Sequence, residues 1–426
     1  MTTIRRSHLR TIGRNPREAF CEAQLLVVNR RWGARFVRRS AMLCLLLLAD
    51  CFAHGQQPSR ETHSRTAAIP AAEFSRLVQE FSEGGGSFFS DNFTSNEISY
   101  LHIADRLRER GISGGAYLGV GPEQNFTYIA KIRPQIAFIV DIRRQAVLQH
   151  LLYKAIFQKA KNRAQFLSLL FSRPLTGAAL SGKIPSLEVL LESVNQASTS
   201  EVIFKTNLAT MRETIEREFQ FPLSPDDLHS LEYVYRAFWR ANLDISFRFG
   251  GMRWGGGFPR LRDLILATDL SGKLGNFLAR EQDYEFVRKL ELKNRVIPVV
   301  GDFGGAKALA SVAAYLQRHG YTVSAFYTSN VEQYLFADEM FGAFVENVRK
   351  LPVTRQSVII RSARANWIPN TPQISGYRMT TVMGNISVFL QDYDAGLYSD
   401  YWSLVTTHYI PPGDVPTDAV TPVPVP

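Results

Sequence analysis

Apolar residues along this chain fall into two spacings. Ile136–Val140 and Val296–Val300 are apolar at every position, as expected of strands buried on both faces. By contrast, Phe74, Leu77, Val78 and Phe81 recur at three- and four-residue intervals, the stripe of an amphipathic helix. Extending this reading predicts strands over 115–119, 136–140, 296–300, 321–327 and 357–361, with a further terminal strand near 382–390. Helices are expected from residue 69 onward and over 96–110, 123–132, 142–160, 305–319 and 331–350. Gly111 and Gly320 stand where helix-ending glycines belong. Apolar strands alternating with helices define the α/β class: a doubly wound, mostly parallel sheet covered on both faces.

The alternation is interrupted over residues 161–290, which read as a large, mainly helical insertion with one candidate strand at 201–205. The insertion carries a glycine-rich stretch, 248–258, that is either a lid or a plain connection. The expected organisation is a basic N-terminal segment (1–55), a polar linker (56–68), the first half of the α/β core (69–160), the insertion (161–290) and the second half of the core (291–410). The proline-rich tail, 411–426, has too few apolar residues to build a core.

Charge changes the picture only at the N-terminus. Of the formal net charge of +10, residues 1–50 hold ten Arg against Glu18, Glu22 and Asp50, a net of +7. The remainder carries +3, so the basic balance does not point to nucleic acid. The arginines precede a short apolar run, Ala41–Ala49, and small residues at Ala53 and Gly55. That is the pattern of an export signal; a mis-assigned start codon, with a cytoplasmic protein, is the alternative. The run is too short for an integral membrane domain. All three cysteines (21, 44 and 51) lie in this segment, so the body offers no thiol nucleophile and no cysteine metal site. The eight histidines have no ligand spacing, and no metal is expected. Residues 177–184 nearly spell a phosphate loop, but Ile184 stands where Ser or Thr would be needed for Mg²⁺, and the match is read as chance.

The candidate chemistry sits at the predicted strand ends. Gly119 and Gly121 form a tight turn from the first strand into a helix, where a ligand can approach the backbone. Asp141 ends the second strand, twenty residues beyond Gly121, where an acid commonly holds a ribose diol. Asp302 and Phe303 follow the third strand as an acceptor for an adenine amino group and a ring to pack on it. Asn330, Glu332 and Tyr334 follow the fourth as candidate catalytic residues. Ligands of open α/β sheets bind outside these edges. Gln124 stands where a dinucleotide fingerprint wants a third glycine, and Glu123 places a carboxylate in the first turn of the helix. That carboxylate repels a diphosphate and suits an ammonium or sulfonium, which argues against an NAD-dependent oxidoreductase.

Together, Ser90–Glu97, Tyr117–Ala130, Ile139–Arg144, 277–282, Val299–Ala308 and Tyr327–Leu335 resemble an uncharacterised bacterial family whose core is similar to class I S-adenosylmethionine-dependent methyltransferases. The resemblance covers about residues 70–390. In the general methyltransferase pattern an acid stands at the position of Tyr117, and a third glycine at that of Glu123. The resemblance implies S-adenosylmethionine as cofactor and methyl transfer to a small or unknown acceptor. Gly119, Gly121 and Glu123 would receive the amino-acid part, Asp141 the ribose, Asp302 and Phe303 the adenine. The rival is a non-catalytic binding protein that keeps the fold.

Overall fold

The computed structural model describes residues 65–175, 185–247, 258–369, 371 and 374–413. The N-terminal segment with its apolar run and cysteines, the phosphate-loop look-alike and nearly all of both the glycine-rich stretch and the tail lie outside them. Six strands form one sheet: β1 (Ala116–Gly119), β2 (Ile136–Asp141), β3 (Val296–Val300), β4 (Val323–Ser329), β5 (Val353–Arg364) and β6 (Met379–Asn385). Their order is β3-β2-β1-β4-β5-β6. All neighbours run parallel except β5 and β6. Every residue of β1, β2 and β3 is buried, as the apolar run that precedes Asp141 in β2 and the whole of β3 require when helices cover both faces. The architecture is α/β with a mostly parallel sheet and many helices, compatible with a Rossmann-like fold.

The strand order reverses at β1, which pairs with β2 on one side and β4 on the other. Crossover connections therefore leave in opposite directions from this point and open a crevice at the carboxyl edge. Register places Gly119 beside Ile139, and Asp141 beside Val300. The ends of β2 and β3 thus arrive at one level, and β1 stops two residues short of them, where the glycine turn begins.

Several expected elements are corrected. The candidate strand at 201–205 is the start of the helix Glu201–Glu213: Ser200 caps it by accepting from the Ile203 amide. Val202, Ile203 and Phe204 have strand propensity, but Phe204 stacks on Trp239 of the helix Pro225–Ala241 with centroids 4.8 Å apart, and that packing decides the state. The region 96–110 is a short 3₁₀ turn, Ile98–Leu101, followed by the helix Ala104–Glu109. The expected helix 331–350 is two, Val331–Ala337 and Phe341–Arg349. They are separated at Glu339, whose φ of +59° is left-handed, while the Met340 amide returns to the Leu335 carbonyl, a helix-ending arrangement. The strand near 382–390 is β6, ending at Asn385. This residue's side chain accepts from Ser387 and Val388 and starts the helix Ile386–Asp394.

Candidate functional site

A cavity of about 320 Å³ opens at the carboxyl edge of the sheet where the strand order reverses. Its floor and walls come from the ends of four strands: Gly121 and Pro122 after β1, Asp141 and Arg143 after β2, Asp302 and Phe303 after β3, Ser329, Asn330 and Tyr334 after β4. Its roof is the stretch Ser87–Asn96, which precedes the sheet in sequence.

The glycine turn is built around Asn125. Its Nδ2 donates to the carbonyls of Val120, Gly121 and Pro122 at 2.9, 3.0 and 2.8 Å. The Tyr117 hydroxyl donates to its Oδ1. A Cβ on Gly119 would lie 2.0 Å from that Oδ1, so Gly119 makes room for Asn125 and does not face the cavity. Gly121 is different. A Cβ there meets nothing within 4 Å, but its φ of +77° is one that L residues avoid. Of the two glycines, only Gly121 touches the cavity. His150 supports the turn by bonding the Gly121 carbonyl through Nε2 at 2.8 Å. Burial pushes this imidazole down to about 4; neutral at physiological pH, it presents an Nε2–H to the carbonyl.

Glu123 also departs from expectation. It is buried beneath the turn, its Oε1 accepting from the Ser95 amide at 3.2 Å and its Oε2 having no partner. Burial pushes its carboxyl up to about 7. The group holds the roof to the first helical turn rather than lining the cavity.

Asp141 does line the cavity, with its carboxylate gripped by Arg143. The Arg143 amide and Nε donate to Oδ1 at 2.9 and 3.0 Å, and Nη2 donates to Oδ2 at 2.9 Å. Arg143 also donates through Nη1 to the Asp91 carbonyl of the roof. A ligand hydroxyl would have to share Asp141 with this guanidinium.

At β3, Asp302 Oδ1 accepts from the Gly304 amide, and the Asp302 amide donates to Glu83. Phe303 is buried and packs on Phe326 and Phe344. Both residues reach the cavity wall.

After β4 the three candidates separate. Asn330 and Tyr334 line the cavity. Asn330 occupies the first cap position of its helix yet makes no side-chain cap bond; its Oδ1 accepts from the Ser329 hydroxyl at 3.4 Å. Glu332 turns the other way. It is fully buried, accepts from Arg361 Nε and the Thr328 hydroxyl, both at 3.0 Å, and does not reach the cavity. A helix places residues i and i+2 on different faces, so alternation at 330, 332 and 334 cannot bring all three together unless the backbone bends. Glu332 is a buried partner of Arg361 and stands apart from the cavity that Asn330 and Tyr334 line.

A residue carrying no role in the sequence reading holds the floor from behind. Glu97 is buried and accepts hydroxyls from Tyr327 at 2.8 Å and from Ser329, two cavity residues. Burial raises its pKa. Ser329 has a φ of +55°, a strained state held by this bond. Glu97 lies 230 residues before Tyr327, a separation no local pattern bridges.

Among the described residues no group of three or more His, Cys, Asp or Glu is placed to hold a metal ion, and no helix is long and apolar enough to cross a membrane. Fold and site thus define an α/β protein with a ligand-sized, acid-lined cavity at the switch point of its sheet. Residues 92–179 and 185–392 match a single family model, described as a domain of unknown function (DUF7790), and the chain belongs to that family. No curated protein matches the chain.

Proposed function

We propose that this protein binds S-adenosylmethionine in the cavity and acts as a methyltransferase-like protein on a small acceptor. The observation that carries the reading is the cavity's charge. Asp141, Asp302 and Asp338 line it, and the described cation on its wall, Arg143, is already paired with Asp141. A cavity with excess carboxylate favours a ligand bearing an ammonium and a sulfonium over a diphosphate.

In this reading the amino-acid part of the cofactor passes Gly121, the ribose meets Asp141, and the adenine lies by Asp302 and Phe303. Transfer forms a bond from the acceptor's nucleophilic atom to the methyl carbon and breaks the sulfur–methyl bond, releasing S-adenosylhomocysteine. Asn330 and Tyr334 would orient the acceptor, because this chemistry needs in-line positioning above all. The withdrawal of Glu332 from the cavity favours a second reading, a binding protein without turnover.

Isothermal titration calorimetry of the full chain with S-adenosylmethionine, S-adenosylhomocysteine and NADH tests the proposal. Binding of the first two in preference to NADH is expected; no binding of either overturns it.

A further inference from the structure

The outer rim of the cavity is aromatic. Phe88 and Phe89, adjacent in the roof, have ring centroids 4.0 Å apart. Tyr334 stands edge-on to Phe88 at 5.3 Å and tilted to Phe89 at 5.9 Å. All three line the cavity, yet Phe89 is 42% exposed. One helical turn after Tyr334, Asp338 lines the same rim, and it is exposed. Burial raises the Tyr334 hydroxyl above its usual range, so the ring remains a neutral phenol with an electron-rich face.

Ring faces carry negative quadrupole density, and beside a carboxylate they favour a positive group whose charge is spread over methyl or methylene carbons. A compact, strongly hydrated cation gains less, and an anion is repelled. We infer that the rim formed by Phe88, Phe89, Tyr334 and Asp338 binds the alkylammonium end of a small molecule. The inference rests on the cavity being a ligand site, and names the class of acceptor for the activity proposed above. It does not require the cofactor.

Choline and its neutral isostere 3,3-dimethylbutan-1-ol, which differ in replacing nitrogen by carbon, probe the rim in calorimetric titrations of the full chain at low salt. Choline should bind about 3- to 30-fold tighter than the isostere. Asp338→Asn and Tyr334→Leu should each reduce that preference several-fold, with thermal melts confirming that the variants fold. Equal affinity for the two compounds, no detectable choline binding at millimolar concentration, or an unchanged preference in Asp338→Asn overturns the inference. The two proposals fail separately. Choline preference without S-adenosylmethionine binding removes the cofactor alone; cofactor binding without choline preference removes the alkylammonium rim alone.

Discussion

The Tyr117 hydroxyl donates to Asn125 Oδ1 at 2.8 Å, and so determines which way round the Asn125 amide sits. With the oxygen committed to Tyr117, the nitrogen faces the three carbonyls of the glycine turn. A tyrosine where the general methyltransferase pattern has an acid is therefore part of how this turn is held.

The two glycines should respond to substitution for different reasons. Gly119→Ala drives a Cβ into Asn125 and should cost about 2–3 kcal/mol, the scale of an overpacked core. Gly121→Ala meets open space but a left-handed backbone, and should cost about 1–2 kcal/mol. Urea unfolding separates them further: Asn, which tolerates left-handed φ, should be nearly neutral at 121 and strongly destabilising at 119. Equal costs at both positions would contradict the packing described for Asn125.

Asn330→Ala and Glu332→Gln form a second contrast. Asn330 makes no cap bond, so its loss should leave the melting temperature almost unchanged while weakening ligand binding. Glu332→Gln leaves Arg361 buried without its counter-charge and should destabilise by about 3 kcal/mol. Chemical denaturation beside calorimetry checks both; a stable Glu332→Gln variant would return that residue to the candidate site.

Asp141→Asn should act at two places. Losing a charge-assisted bond to a ribose would weaken S-adenosylmethionine binding by about 1.5–3 kcal/mol. Freed from its carboxylate, Arg143 should also hold the Asp91 carbonyl less firmly. Hydrogen exchange should then accelerate in Asn92–Ser95 even without ligand. Unaltered exchange there would show that the roof does not depend on the pair.

Glu123 gives a pH dependence with a definite sign. Its carboxyl is raised from 4.5 to about 7 in the folded protein by burial, so the native state holds the proton more tightly than the unfolded chain. Its contribution to stability is complete below about pH 4.5 and is lost as pH rises to about 7. Glu123→Gln removes this dependence. The variant should gain on the parent steadily between pH 4.5 and 7, by on the order of 3 kcal/mol at the top of the range. Glu97 and Glu291 are raised as well but are common to both proteins, so they cancel in the difference. A parent-minus-variant stability that is flat across this range would show Glu123 to be solvated.

The sheet was readable because β2 up to Val140 and all of β3 are apolar, and the strand tips followed from it. Gly121, Asp141, Asp302, Phe303, Asn330 and Tyr334 do meet at one cavity. What spacing could not show was direction within a tip. Glu332 is two residues from both Asn330 and Tyr334, yet its partner is on β5, and only tertiary structure discloses that. The roof was unreadable for another reason. Ser87–Asn96 forms no helix and has no extended strand ladder, so it has no periodicity to recognise. Val202–Phe204 misled because strand propensity reflects packing on a sheet, and here the packing partner is a helix.

The roof has an order of assembly built into it. Side chains from beyond β2 hold its backbone: Arg143 takes the Asp91 carbonyl, and Gln149, in the helix Arg144–Lys159, takes that of Phe93. Tyr233, more than eighty residues further on, reaches the Asp91 carboxylate. The roof precedes every strand in sequence, yet none of these anchors exists in place until the chain behind it has folded. During synthesis it leaves the ribosome before Arg143, Gln149 and Tyr233, and these contacts can form only once those residues have been made. The roof is thus tied to side chains made 52, 56 and 142 residues after the positions they hold.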